Sequence, residues 1–236
     1  MLRFNFTCAW IVACAILTIV PISHAEKSIT VQNNCGSVIT VGVLTNGMSS
    51  GLPEQSFDLT PSASNSFSKS DSWGGRVWAR YHCSGSAGKD SSNCGVPGAT
   101  NPASLAEFFF KGTGGKDYYD ISLVDGYNMP MSIAPSGGAT PNGFTCGTPQ
   151  CTISDCPKEF AVTDATGNVV SCQSACSKTG SSEDCCTGSN NSPSTCKAST
   201  RSSFVKTQCP DAYSFAYDDQ DSTYECEADS FTVTFC

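Results

Sequence analysis

Three carboxylates sit where they could do chemistry. Glu107 lies inside the apolar run Leu105-Ala-Glu-Phe-Phe-Phe110, Asp120 inside Tyr118-Tyr-Asp-Ile-Ser-Leu-Val124, and Asp125 opens an Asp-Gly pair. Tyr119, Ile121 and Leu123 alternate with Tyr118, Asp120 and Ser122. That period of two is a half-buried strand with Asp120 on its polar face. Asp125-Gly126 closes the strand with a turn. A Gly-rich turn at Gly112 to Gly115 joins the two apolar runs, and a hairpin there brings Glu107, Asp120 and Asp125 into one neighbourhood. Carboxylates held that close cannot all ionise freely, so at least one pKa rises. Such clusters suit acid/base work, sugar binding or cation binding. The plainer reading, strand-edge and turn carboxylates on a solvated face, stands beside it on these residues alone.

The two ends of the cluster are expected to differ. Glu107 follows Leu105 and Ala106 and precedes three phenylalanines, so burial should favour its neutral form. Asp125, in its Asp-Gly turn, should stay exposed and anionic. Acid/base hydrolysis needs such a separation.

The elements that must position these groups are short strands. Ser28–Asn33 and Val38–Leu44 alternate, with Gly36-Ser37 between them as an expected tight hairpin turn. Phe57–Leu59 and Asn65–Ser68 are separated by Pro61, and Arg76–Tyr81 is a stronger strand. Phe231–Phe235 ends the chain in full alternation. Many short strands spaced by turn residues predict a mainly β fold, a sandwich. Residues 82–103 are rich in Gly, Ser, Asn and Pro. Residues 151–208 are rich in cysteine and poor in large apolar side chains, with helices expected over Cys172–Lys178 and Ser202–Gln208. That segment must be held by disulfides.

Residues 1–25 read as a signal peptide: Arg3, an apolar stretch from Ala9 to Val20, then Ser23-His-Ala25. The apolar stretch is too short to span a bilayer, so no membrane anchor is expected. The domain then runs over 26–236. Loss of Arg3 takes the formal charge from −8 to −9, a poor balance for nucleic acid or an anionic membrane. Of sixteen cysteines, Cys8 and Cys14 leave with the signal. The fourteen left behind a signal peptide form a disulfide framework, each bridge contributing ~2–4 kcal/mol. Cys146, Cys151 and Cys156 have a Cys-x4-Cys-x4-Cys spacing, but zinc sites usually use Cys-x2-Cys or histidine ligands. No metal and no cofactor are expected.

Seven motifs carry a family resemblance: Gly75-Arg-Val-Trp-Ala-Arg-Tyr-His-Cys83, Leu105-Ala-Glu-Phe108, Tyr119-Asp-Ile-Ser122, Gly126-Tyr-Asn-Met-Pro-Met131, Asp184-Cys-Cys186, Cys209-Pro-Asp-Ala-Tyr213 and Val233-Thr-Phe-Cys236. In this order, and with the cysteines in register, the chain resembles the thaumatin-like proteins, with osmotin and zeamatin, from about Ser28 to its last residue. The resemblance implies a flattened β-sandwich (about 26–81, 104–150 and 209–236), a small looped lobe (about 82–103) and a disulfide-rich lobe (about 151–208). It implies the pairs Cys35–Cys236, Cys83–Cys94, Cys146–Cys226, Cys151–Cys209, Cys156–Cys172, Cys176–Cys185 and Cys186–Cys196. The chain departs from larger members where Ser91-Ser-Asn-Cys-Gly-Val-Pro-Gly98 replaces a Gly- and Cys-rich stretch, with two cysteines fewer.

The resemblance also implies an acidic cleft, whose Arg, Glu and three Asp carry over to Arg76, Glu107, Asp120, Asp125 and Asp211. Glu107 is the expected acid and Asp125 the base or nucleophile. Arg76, Asp120 and Asp211 would bind or orient a sugar. The function implied is a secreted, defence-type monomer directed at β-1,3-glucan or another fungal cell-wall polysaccharide, binding it or slowly cleaving it as a weak endo-β-1,3-glucanase. The alternatives are a glucan lectin or membrane-permeabilising antifungal protein without turnover, and an inhibitor of a foreign hydrolase. A serine hydrolase is disfavoured: Gly47-Met-Ser-Ser-Gly51 lacks strand-to-helix context, and His82 is the one mature histidine. Gly112-Thr-Gly-Gly-Lys116 lacks phosphate-loop spacing. Asn190-Asn-Ser192 is a glycosylation sequon followed by Pro193.

Overall fold

A computed structural model describes residues 26–48, 52–83 and 94–236. The expected signal peptide, residues 49–51 of the Gly47–Gly51 string and residues 84–93 of the small looped stretch lie outside the described residues.

Two sheets face each other. In chain order the strands are β1 (Glu26–Asn33), β2 (Ile39–Thr45), β3 (Gln55–Leu59), β4 (Ser64–Ser70), β5 (Gly74–Tyr81), β6 (Leu105–Phe109) and β7 (Asp117–Ser122). There follow β8 (Gly126–Tyr127), β9 (Met131–Ser136), β10 (Gln150–Cys151), β11 (Ala161–Thr163), β12 (Val169–Gln173), β13 (Tyr224–Cys226) and β14 (Ser230–Phe235). One sheet has the order β10-β9-β14-β1-β4, the other β13-β7-β6-β5-β2-β3, and a third, small sheet has the order β11-β12-β8. Between the large sheets Ile29, Val31, Phe231, Val233 and Phe235 meet Val41, Val77, Phe108, Tyr119 and Ile121, all buried. The Phe231 ring lies 5.3 Å from Phe108, 5.5 Å from Phe110 and 5.1 Å from Tyr119, centroid to centroid. Alternation within each strand sends these residues inward and leaves the other face free for polar work.

The expected hairpin at Gly36-Ser37 does not form. Strand β1 pairs with β14 and β4, while β2 pairs with β3 and β5. Both strands have an apolar face to bury, and placing them in opposed sheets buries both at once. The connection crosses between the sheets, and buried Asn33 organises it. Its amide donates to the carbonyls of Ser37 and Leu59, each at 2.9 Å, and its Oδ1 accepts from the Cys35 N–H at 2.8 Å. First and last strands run parallel side by side, and Cys35–Cys236 ties their ends together.

The cysteine-rich segment holds β11, β12 and two helices, α1 (Ala175–Thr179) and α2 (Thr200–Gln208). The first helix starts later than its sequence pattern: Cys172 belongs to β12, and Ser174 caps α1 by accepting the Ser177 N–H at 3.1 Å. Ser199 caps α2 in the same way, through Ser202. The disulfides are Cys35–Cys236, Cys83–Cys94, Cys146–Cys226, Cys151–Cys209, Cys156–Cys172, Cys176–Cys185 and Cys186–Cys196. Arg80 holds the described part of the small looped stretch. Its buried guanidinium donates to the carbonyls of Gly95, Asn101 and Pro102 at 3.2, 2.7 and 3.2 Å, and burial pushes its pKa down to about 10. Among the described residues no helix is long and apolar enough to cross a membrane.

Candidate functional site

The hairpin β6–β7 forms as the alternation requires, and its register is what assembles the site. Glu107 pairs with Asp120 across the strands, and Arg76 on β5 pairs with Glu107 on the other side. Directly opposed residues share a face. Arg76, Glu107 and Asp120 therefore form a row across three strands on the outer face of the six-stranded sheet. One step along the strands, Ser122 is buried beside Leu105.

Asp125 reaches the row from the turn after β7. Its backbone carbonyl accepts the Ser174 N–H at 3.3 Å and the Ser177 hydroxyl, so the cap of α1 holds the turn. Gly126, at φ 130°, allows the close approach: a Cβ there would meet the Cys172 carbonyl oxygen at 2.0 Å. β8 and β12 can thus pair and draw the disulfide-rich segment against Asp125. Tyr213 docks along the end of β7, donating its N–H to Ile121 O at 2.8 Å and accepting from Leu123 N at 2.9 Å. Arg76, Glu107, Asp120, Ser122, Asp125 and Tyr213 line one cavity of about 410 Å³.

The electrostatics follow from position in the row. Burial raises the Glu107 carboxyl pKa; the Arg76 charge and a hydrogen bond from Ser122 pull it back, and Asp125 pushes it up again. Burial also raises Asp125, against the pull of Arg76. Asp120 rises well above the ordinary value, first by burial, then by the charges of Glu107 and Asp219. It stands on the far side of Glu107 from the arginine, two strand spacings or ~9.6 Å away. Its Oδ1 is shut off from solvent and has no hydrogen-bond partner among the described residues. In this coupled pair the proton belongs on Asp120, because Arg76 favours the anion of Glu107 and nothing comparable favours that of Asp120.

Burial raises Glu107 as its apolar run predicts: Leu105 helps to wall the cavity, while Phe108 points into the core and Phe109 to solvent. Two other sequence expectations are corrected here. Asp125 is half-buried rather than exposed, and its pKa is raised, so the two end carboxyls are not pushed in opposite directions. Asp211 does not join the row. Its carboxylate accepts the Gln150 N–H at 3.2 Å and the Tyr224 hydroxyl. Tyr224 pairs with Tyr119, whose side faces the core, opposite to Asp120.

Asp219 adds the charge that Asp211 does not. It accepts the Tyr213 hydroxyl at 3.1 Å and acts on Asp120. The signal in the chain is the acidic pair Asp218-Asp219 a few residues after Tyr213, yet nothing in that spacing tells the two apart. Asp218 is buried, accepting from the Ser214 N–H at 2.9 Å and forming an ion pair with Lys206. Asp117, on the core side of β7, is a structural carboxylate: Lys27 bonds it at 2.6 Å. Among the described residues no group of three or more His, Cys, Asp or Glu is arranged to hold a metal ion.

A mainly β sandwich framed by seven disulfides, with a carboxylate row and one arginine on the outer face of a sheet, defines the class of protein. The chain belongs to the thaumatin family, whose model matches residues 33–236. It is 44% identical over 217 residues to a pathogenesis-related thaumatin-like protein 3.5 from Cryptomeria japonica, covering 88% of each chain. It is 40% identical over 233 residues to a glucan endo-1,3-beta-glucosidase from Prunus avium, covering 93% of this chain and 95% of the relative. Among solved structures, a laminaripentaose-producing β-1,3-glucanase of glycoside hydrolase family 64 from Paenibacillus barengoltzii, complexed with laminarihexaose, has the same fold. Its TM-score is 0.58 at 13% identity, over 90% of this chain and 75% of that one.

Proposed function

We propose that the protein is a secreted, defence-type protein that binds β-1,3-glucan of fungal cell walls in the acidic cleft formed by Arg76, Glu107, Asp120 and Asp125. The observation that carries this reading is the row of opposed cross-strand residues on an accessible sheet face. A neutral polymer rich in hydroxyls needs donors and acceptors side by side. Arg76 and a protonated Asp120 donate, while Glu107 and Asp125 accept. A cavity of about 410 Å³ is within the range that takes small ligands. The relative from Prunus avium, by its name a glucanase, supports the substrate class. The acidic sequence and the cysteine pairing support an extracellular monomer without nucleic-acid partners.

A second reading, slow hydrolysis, is favoured by one further observation. Glu107 and Asp125 face the same cavity, and burial raises both carboxyls, so their neutral, proton-donating forms persist to higher pH than those of free carboxyls. In that reading Glu107 protonates the glycosidic oxygen, Asp125 acts as base or nucleophile, and Arg76 positions both. Pull-down on insoluble β-1,3-glucan followed by a reducing-end assay separates the readings. Binding with product supports hydrolysis, and binding without product supports a glucan lectin. No binding removes the proposal and leaves a protein-directed role, such as hydrolase inhibition.

A further inference from the structure

Beyond the carboxylate row, the same sheet face carries an aromatic pair that the glucan-binding reading does not use. Phe109 is two residues from Glu107 on β6, and Tyr118 two residues from Asp120 on β7, so both share the face of the carboxylates. They are directly opposed to each other across the strands. Burial falls steadily along this face. Ser122 is 5% exposed, Glu107 and Asp120 are half-buried, and Phe109 is 56% exposed. Neither ring lines the cavity; both lie beyond it on the same face, one pleat repeat or ~6.8 Å along the strands from Glu107 and Asp120.

The ring positions are built rather than incidental. The Tyr118 hydroxyl donates to Thr113 O at 3.1 Å, which pins that ring over the hairpin turn. A Cβ at Gly112 would come within 2.8 Å of Tyr118 and 3.0 Å of Phe109, and one at Gly74 within 3.1 Å of Phe109. Two glycines thus make room for two aromatics. The same point above Gly74 lies 3.3 Å from Asn46 Nδ2, which sets an amide beside the phenyl ring. An exposed aromatic flanked by an amide and continuous with a row of hydroxyl-binding groups has the chemistry of a sugar platform. The C–H face of a glucosyl ring covers the aromatic face, and the amide meets its equatorial hydroxyls.

We infer that Phe109 and Tyr118 form an aromatic subsite that stacks one glucosyl unit of a β-glucan whose further units occupy the Glu107–Asp120–Asp125 cavity. The inference rests on the glucan-binding reading and extends it: the chain lies along β6 and β7, and affinity depends on oligosaccharide length.

Calorimetric titrations with laminaribiose and laminarihexaose test it, using wild type, Phe109→Ala, Phe109→Trp and Glu107→Gln. Phe109→Ala is expected to weaken laminarihexaose binding roughly tenfold, about 1.4 kcal/mol, and to leave laminaribiose binding as it is. Phe109→Trp is expected to keep the affinity and to change its emission when laminarihexaose binds. Because the ring is exposed, thermal unfolding should match wild type for both Phe109 variants. Equal laminarihexaose binding by wild type and Phe109→Ala, with binding lost in Glu107→Gln, overturns the subsite and leaves the cleft reading in place. Loss in Phe109→Ala with none in Glu107→Gln supports the platform and removes the cleft. A wild type that binds neither sugar overturns both.

Discussion

Replacing Asp120 by Asn keeps the shape of the side chain and removes the carboxyl of the row that stands farthest from Arg76. In the fold that carboxyl titrates well above its ordinary 3.8, chiefly through burial. Between the unfolded and folded titrations the native state holds a proton that the unfolded chain has released. Stability therefore falls as pH rises, by about 1.4 kcal/mol per pH unit for one such group. Glu107 and Asp125 are raised by the same first cause and add slopes of the same sign above their ordinary 4.5 and 3.8. Glu54 and Asp164 are lowered by hydrogen bonds, so what they contribute is lost only as pH falls below their ordinary 4.5 and 3.8. They do not interfere between about pH 5 and 7. Over that window Asp120→Asn should gain on wild type by about 1.4 kcal/mol per pH unit until Asp120 itself ionises in the native state. Urea unfolding with the disulfides intact, at closely spaced pH values, measures it. Parallel stability profiles for wild type and variant would refute the protonated Asp120.

Two further outcomes are expected. Removing Cys35–Cys236 as a double alanine variant should cost about 5 kcal/mol by chain entropy: the separation of 201 residues is shortened to about 120 by Cys146–Cys226. Urea unfolding decides this, and a loss below about 1 kcal/mol would mean that the β1–β14 pairing holds the termini unaided. Asp211→Asn should leave glucan binding unchanged while lowering the melting temperature, since Asp211 holds Gln150 and Tyr224 outside the cavity; a binding defect at unchanged stability would return Asp211 to the site.

Much of the site was legible because a period-two pattern specifies both strand and face. The alternation through Tyr119, Ile121 and Leu123 and the Gly-rich turn bring Glu107 and Asp120 into one neighbourhood, and the strand register makes them directly opposed. What alternation cannot encode is which strands pair. Gly36-Ser37 looked like a hairpin because a local turn and a crossover between sheets use the same residues, and only the burial of both apolar faces distinguishes them. For Glu107 the alternation is informative in part: Leu105 shares its face and walls the cavity, while the Arg76 charge comes from across the strands, where local sequence does not reach. Asp125 was read as exposed because the pairing of β8 with β12 joins segments far apart in the chain. Asp211 and Asp219 lie on one irregular segment, where no periodicity says which of them turns toward the cavity.

The central claim is that β-1,3-glucan sits on the row formed by Arg76, Glu107 and Asp120, with Asp125 above it. Chemical-shift mapping of isotope-labelled protein titrated with laminarihexaose at mildly acidic pH tests this most directly. The account predicts saturable shifts at Arg76, Glu107, Asp120, Ser122, Asp125 and Tyr213, running on to Phe109 and Tyr118, and few elsewhere. Saturable shifts confined to another part of the surface, or none at saturating sugar, would contradict it.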